Sequence, residues 1–334
     1  MTEPHEKLLT LSDGRTLAYA DNGDPASSTV VVFLHGTCGI GRASRMSSAL
    51  RELGVHYVTP TLPGWGNSSP RPKHQPYVAT VLSDFTELIN HLHPDSANLR
   101  IYVAGGSFGS VPAQILYGSP FDAFPLGRKI VGCLLLVPFS PFRWHKGYAK
   151  NMKWPIYVSM GAPSQMVPLN FVPRLAATLT KWQVKTVDKA EAFIRKNLFD
   201  KASRQEREAF LKWKETEGVP KGQLERETAE DAVSSMAKTS EGFMEMSDVL
   251  SSDWGFRPDS LSEEHTRRPL LIVASSEDDL GPDMAKWLAE NYRNSRLKWV
   301  PGGHISTTYH SRAIWTEFIG EVEGAKNAAS HSSM

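Results

Sequence analysis

Cysteine is nearly absent: Cys38 and Cys133 are the only two in 334 residues. Two thiols build neither a disulfide framework nor a cysteine-rich metal cluster, so the expectation is a reducing, cytoplasmic setting with no metal. An excess of charge is lacking too. Lys and Arg number 37 against 36 Asp and Glu, a formal net charge of +1. That balance argues against a general nucleic-acid or membrane-surface partner and leaves a small molecule as the expected one. No run of about 18 apolar residues is present, so no transmembrane helix is expected. The polar stretch Met1 to Lys7 carries no apolar core of a secretory leader. Repeats and low-complexity segments are missing as well. What remains, 40% hydrophobic and 22% charged, is the composition of an ordinary globular chain. It is long enough for one large α/β domain with an insertion, or for two modest domains.

Alternating elements can be read along most of the chain. Residues 6–20 alternate around Asp13-Gly14, a hairpin signal. Thr29 to Leu34 is a continuous apolar run, as expected of a strand buried on both faces of a parallel sheet. A helix (Ala43 to Leu53), a strand (His56 to Pro60), a loop (Pro63 to Lys73) and a helix (about Val78 to His91) follow. Next come a β-branched run from Arg100 to Val103, an apolar helix-compatible stretch from Val111 to Tyr117, and a strand from Ile130 to Val137. From Pro138 to about Thr266 the alternation stops. That segment opens with aromatic residues and methionines, then reads as charged amphipathic helices over Val187–Leu198, Arg204–Glu217 and Gln223–Leu250. Alternation resumes with Pro269 to Ala274, a helix Asp283–Tyr292, a strand Arg296–Val300 and a helix Ala313–Val322. The division expected is therefore a mostly parallel α/β core over 1–138 and 267–327, a helical cap over 139–266 inserted after the sixth strand, and a frayed tail over 328–334.

Chemistry concentrates at Gly105-Gly106-Ser107-Phe108-Gly109, a G-x-S-x-G between a strand and a helix. The serine there sits in a turn too tight for large neighbours, so its hydroxyl projects clear of the backbone. A serine hydroxyl needs a base within hydrogen-bond reach. Of the eleven histidines, His304 stands in Pro301-Gly302-Gly303-His304 directly after the last strand, at the sheet edge where α/β sites form. The base in turn needs an acceptor to fix its tautomer. Asp278 is chosen, three residues past Ser275 and four before Pro282. Asp279 is the alternative, and the remaining aspartate belongs to the charged start of the next helix. An oxyanion needs backbone N–H donors, for which the amides of Phe108 and Thr37 are the candidates, Gly36 letting the chain turn its next amide inward. His35, Cys38, Trp65, Phe139, Trp144, Trp154 and Trp254 are candidate substrate-pocket residues. His35 would rather brace its loop than react, and the aromatic residues could equally pack the insertion onto the sheet.

With these residues in place, the chain resembles the α/β-hydrolase fold superfamily over nearly its whole length. The order Ser107, Asp278, His304 matches that superfamily's nucleophile, acid and base. His35-Gly36-Thr37 is similar to its oxyanion loop, Pro63-Gly64-Trp65-Gly66-Asn67-Ser68 to its P-G-x-G-x-S loop, and Asp278 to Pro282 to its D-x-x-x-P turn. Trp254-Gly255-Phe256 also recurs in cap-bearing members. Ser275 stands where relatives usually have glycine, and Thr61 where they often have aspartate. The resemblance implies a cap-bearing serine hydrolase of the esterase or proline iminopeptidase-like branch that uses no cofactor. A serine nucleophile sets aside the epoxide hydrolases and haloalkane dehalogenases of this fold, which use a carboxylate.

The expected activity is cleavage of a carboxylic ester of a small, apolar substrate through an acyl-enzyme. An amidase or aminopeptidase ranks second, because His35-Gly36-Thr37-Cys38-Gly39 departs from the H-G-G-P-G of iminopeptidases. A carbon–carbon bond hydrolase or an acyltransferase would use the same triad. A cyclase, lyase or binding protein on the same fold is the alternative outside acyl-enzyme chemistry.

Overall fold

Strands form where apolar runs are bounded by turn residues. The computed structural model describes residues 6–95 and 97–331. Eight strands build one sheet in the order β1-β2-β4-β3-β5-β6-β7-β8. Their bounds are β1 Lys7–Thr10, β2 Thr16–Gly23, β3 Thr29–Leu34, β4 His56–Pro60, β5 Arg100–Gly106, β6 Ile130–Leu136, β7 Leu270–Ser275 and β8 Ser295–Val300. The first two pair antiparallel around Asp13-Gly14, β2 pairs antiparallel with β4, and all later pairings are parallel.

The apolar runs are buried on both faces because alternate residues enter opposite cores. Val30, Val32, Ile101, Val103 and Ile272 pack against α2 (Tyr77–Leu92), α3 (Ser110–Gly118) and α12 (Asp283–Asn291). Val31, Tyr102, Leu134, Leu271 and Val273 pack against α1 (Ser48–Glu52) and α14 (Ser311–His331). The result is a three-layer α/β domain, helices on each side of a parallel sheet. Strand β3 has β4 on one side and β5 on the other. The strand order therefore reverses beside β3, and a crevice opens at the carboxyl ends of β3 and β5.

Between β6 and β7 every regular element described is helical: α4 Trp154–Met160, α5 Ala162–Met166, α6 Phe171–Gln183, α7 Val187–Ile194, α8 Arg204–Glu217, α9 Gln223–Ser235, α10 Glu241–Ser251 and the short α11 Glu263–Thr266. A four-residue α13, Ser306–Tyr309, precedes α14. Four sequence expectations need correction. The helix expected over Ala43–Leu53 is a 3₁₀ turn, Ala43–Arg45, followed by α1, because Ser47 and Ser48 favour a helix start over a helix interior. The helix expected over Val187–Leu198 ends as α7 at Ile194 and widens into a π turn, Arg195–Phe199. The helix expected over Gln223–Leu250 is two helices that straddle the Gly64–Gly66 turn, whose Gly66 N–H donates to Ser235 and whose Gly64 oxygen accepts from Gly242 N–H. The helix expected over Ala313–Val322 is longer at both ends, running as α14 through His331. The alanines at 325, 328 and 329 favour that extension, and residues 332–334 lie outside the described residues.

The close approach of β3 to the turn after β5 depends on two glycines. A Cβ on Gly105 would stand 2.1 Å from the Gly109 oxygen, and one on Gly109 would stand 2.1 Å from the Leu34 oxygen. Both obstacles are backbone atoms and cannot step aside. Gly106, between them, is open, its nearest neighbour being Phe33 Cζ at 3.6 Å. Gly105→Ala should therefore lower unfolding stability in urea by about 3 kcal/mol or more. Gly106→Ala should change it by under about 1 kcal/mol; equal effects would contradict this packing.

Candidate active site

The turn after β5 holds Ser107 at φ 51°, in the left-handed region, as the first residue of a 3₁₀ turn leading into α3. Such a conformation costs about 1–3 kcal/mol for a residue with a Cβ and persists only where the surroundings enforce it. Here the enforcing contacts are the backbone approaches of Gly105 and Gly109. The turn leaves the hydroxyl within reach of His304.

His304 follows β8 and comes to the same edge. Its Nε2 lies 2.9 Å from Ser107 Oγ, and its Nδ1 lies 2.9 Å from each carboxylate oxygen of Asp278. A carboxylate only accepts, so Nδ1–H donates to Asp278 and Nε2 is left to accept the Ser107 O–H. Asp278 is 5% exposed and also accepts Leu280 N–H at 3.0 Å. Asp279 points elsewhere: its carboxylate pairs with Lys153 at 2.6 Å and is half exposed. The structure brings Asp278, not its neighbour, to the imidazole. Burial works against the His304 imidazolium, but the charge and hydrogen bond of Asp278, with the charge of Asp279, outweigh it, and the net shift is upward.

Thr37 and Phe108 stand beside Ser107. A Cβ on Gly36 would meet Ser107 Cβ at 3.1 Å, so the β3 loop touches the serine itself. Thr37 lines the same cavity as Ser107, its Oγ1 donating to Met246 Sδ of α10 at 3.3 Å. Phe108 buries its ring against Tyr77. The two residues that depart from the superfamily pattern have local work. Thr61 Oγ1 accepts Gly41 N–H at 2.9 Å and ties the β3 loop to β4. Ser275 Oγ meets Ser306 Oγ at 2.8 Å and ties β7 to α13.

A cavity of about 430 Å³ opens over Ser107, His304 and Asp278. Leu280 lines it from the core, Phe139 from the first residue of the insertion, and Ile156, Met160 and Leu198 from further along it. Of the expected pocket residues, Phe139 is there. Trp65, Trp144, Trp154 and Trp254 are not among its lining residues, and each has another occupation. Trp65 is buried edge-on between His35 and Phe243. Trp254 is buried, its N–H donating to the Val249 oxygen. Trp144 carries the guanidiniums of Arg143 and Arg257 on its ring, and Trp154 is exposed. His35 and Cys38 face a second cavity of about 310 Å³ on the other side of the β3 loop, with only Thr37 on the walls of both. His35 is a brace: Nδ1–H donates to the Gly36 oxygen and Nε2 accepts Leu62 N–H. Burial pushes its pKa down to about 4, so it stays neutral. Burial pushes the Cys38 thiol up to about 12.

Sequence reasoning missed Glu206, on α8, among the lining residues. Its Oε2 accepts Gly303 N–H, next to His304, at 3.1 Å, while Oε1 is buried without a partner among the described residues. Burial pushes this carboxyl above the ordinary value; the Gly303 hydrogen bond offsets that only in part, and the charge of Glu277 adds to it. Nothing in Arg204–Glu217 distinguishes Glu206 from the other charges of a solvated helix. Asn197 and Leu198, also lining, sit in the π turn after α7, a distortion that frequently marks functional sites. Among the described residues, no group of three His, Cys, Asp or Glu side chains is placed to hold a metal ion.

Lipase 1 of Psychrobacter immobilis is 29% identical over 148 residues, 44% of this chain and 42% of the lipase, so the match spans less than half of that relative. A hydrolase from Pseudomonas aeruginosa PA01 superposes with a TM-score of 0.59 at 17% identity, over 95% of this chain and 98% of its own. An esterase from Exiguobacterium antarcticum superposes with a TM-score of 0.59 at 17% identity, over 96% and 100%. At these identities the two structures speak for the fold. The model of the alpha/beta hydrolase family matches residues 31–314, from within β3 into α14, and the chain belongs to that family.

Proposed function

We propose that the protein is a serine hydrolase that cleaves carboxylic esters, with Ser107 as nucleophile, His304 as base and Asp278 as the acid that orients it. The observation that carries this reading is the unbroken hydrogen-bond chain from Ser107 through His304 to Asp278 at the floor of a cavity. Ser107 Oγ attacks the acyl carbon as its proton passes to His304 Nε2. The amides of Thr37 and Phe108 receive the oxyanion, and the Asp278 carboxylate stabilises the imidazolium. His304 gives that proton to the leaving alcohol; a water then attacks the acyl carbon as the same imidazole takes its proton, and His304 passes this proton to Ser107 Oγ as the acid leaves. Helices α4 to α10 act as a cap, with Ile156, Met160 and Leu198 setting the room for the substrate's apolar part. The lipase and esterase among the similar proteins favour an ester over an amide. A stoichiometric reaction with a fluorophosphonate, lost in Ser107→Ala at unchanged Tm, tests the assignment; a folded protein that does not label would refute it.

The two adjacent aspartates should separate. Asp278→Asn should cost about 10⁴ in kcat, because His304 would be held in the wrong tautomer. Asp279→Asn should leave kcat within a few-fold, and reversed outcomes would reassign the acid. The base must be neutral to act, and its pKa is raised above the ordinary 6.5. Log kcat/KM should therefore fall with decreasing pH through an inflection above 6.5, and Asp279→Asn should move that inflection downward. An unmoved inflection would mean that His304 does not control it.

Specificity should follow the residues that line the cavity. Met160→Trp should lower kcat/KM for a long-chain ester about tenfold or more while sparing an acetate ester. Trp254→Ala should instead act on stability, lowering it by about 3–5 kcal/mol. A change in chain-length preference from Trp254→Ala alone would overturn the lining given above.

A further inference from the structure

The overall charge balance conceals a division within the insertion. Residues 139–187 contain seven lysines and arginines and no aspartate or glutamate, whereas residues 188–266 contain eighteen acidic against twelve basic residues. The basic half coincides with α4, α5 and α6, which pack on one another. It also holds most of the large apolar side chains that the protein leaves exposed. Leu169 is 88% exposed, Met166 79% and Trp154 70%, with Phe171, Leu175, Leu179 and Trp182 exposed beyond them.

Helix α6 shows that this exposure is organised. It turns Pro173, Ala177 and Thr180 inward and presents Phe171, Leu175, Leu179 and Trp182 to solvent. At about 100° per residue the four outward side chains fall within an arc of roughly 80°. A helix that only packed on the core would bury its large residues and expose its small ones; α6 does the reverse. Arg174 and Lys181 flank the apolar stripe, both exposed and without an ion pair among the described residues. Lys189 places its ammonium 4.0 Å from the Trp182 ring centroid. Leu169 and Asn170, before the helix, both take positive φ, at 62° and 53°, and that turn carries the most exposed of the apolar side chains.

We propose that α4 to α6 form a docking surface for an anionic lipid surface, on which the protein lies without crossing it. Trp, Phe and Leu enter the boundary between headgroups and acyl chains, while flanking Lys and Arg meet the lipid phosphates. No helix among the described residues is long and apolar enough to span a membrane, so the contact is peripheral. Charge decides against a second copy of this chain as the occupant. A two-fold contact through the same face would set Arg174 and Lys181 of one copy near those of the other, like charge against like. The surface also lies next to the cavity, because α4 exposes Trp154 while its Ile156 and Met160 line the space over Ser107. An amphiphile leaving the lipid surface would thus meet the cavity within one helix. The docking itself does not depend on the chemistry at Ser107.

The test is flotation of the purified protein with vesicles of phosphatidylcholine alone and of phosphatidylcholine mixed with phosphatidylglycerol, at low and high salt. The protein should float with the mixed vesicles, much less with neutral ones, and high salt should reduce binding. Leu169→Glu with Trp182→Glu, and separately Arg174→Glu with Lys181→Glu, should each lower binding to the mixed vesicles about tenfold or more. Hydrolysis of a short water-soluble ester and the circular dichroism spectrum should stay unchanged, which shows that the variants are folded. Failure of the unaltered protein to float with either vesicle would overturn the proposal. So would equal, salt-independent binding to both, or a dimeric mass that Leu169→Glu with Trp182→Glu converts to monomer.

Discussion

The rest of the site depends on how closely two backbones approach at the carboxyl ends of β3 and β5. Gly105 and Gly109 let the turn around Ser107 sit against Leu34 and His35 with no room for a Cβ. That contact holds Ser107 in the left-handed region and brings the Gly36-Thr37 peptide alongside it. The strain at Ser107 and the placing of the Gly36-Thr37 loop are consequences of one packing constraint. His304 and Asp278 arrive independently, from the ends of β8 and β7, and meet the serine because the parallel sheet sets all these strand ends on one edge.

The insertion is tied to this edge through polar contacts as well as apolar ones. Glu206 of α8 holds Gly303 N–H, beside the proposed base. Phe210 and Trp213 of the same helix lie against Tyr309, just after the His304 loop. Arg42 and Arg45, after β3, reach Asp231 and Glu227 on α9. The loops after β3 and β8 thus both lean on helices of the insertion. A shift of those helices would be felt at the chemistry, which is how a cap can select a substrate and also tune its turnover.

Much of this was legible in the sequence because buried parallel strands and tight turns leave strong local signals. Thr29–Leu34 and His56–Pro60 read as strands with the bounds the structure shows, since β-branched and apolar runs there are closed off by Gly36, Gly54 and Pro63-Gly64. Ser107, His304 and Asp278 were picked out by their places after strands and among glycines, and the fold brings those three side chains together. The insertion was less legible. Its aromatic residues read as pocket lining, but Trp254 is buried in packing, Trp144 carries two guanidiniums on its ring and Trp154 faces outward. The break between α9 and α10 is imposed by the Gly64–Gly66 turn, a contact far away in sequence. The importance of Glu206 lies only in what it touches. Composition hid the basic half of the insertion, because a balance over the whole chain averages out a local imbalance.

The central claim is that Ser107 and His304 work as one unit, and a double-mutant cycle on kcat tests it most directly. Ser107→Ala, His304→Ala and the double variant are compared under saturating ester, with folding checked by Tm. If the imidazole serves only the serine, the double variant is no slower than either single one, because the second loss has nothing left to remove. Losses that multiply would mean that the two residues act separately, and the hydrogen bond between them would not be the one that drives the reaction.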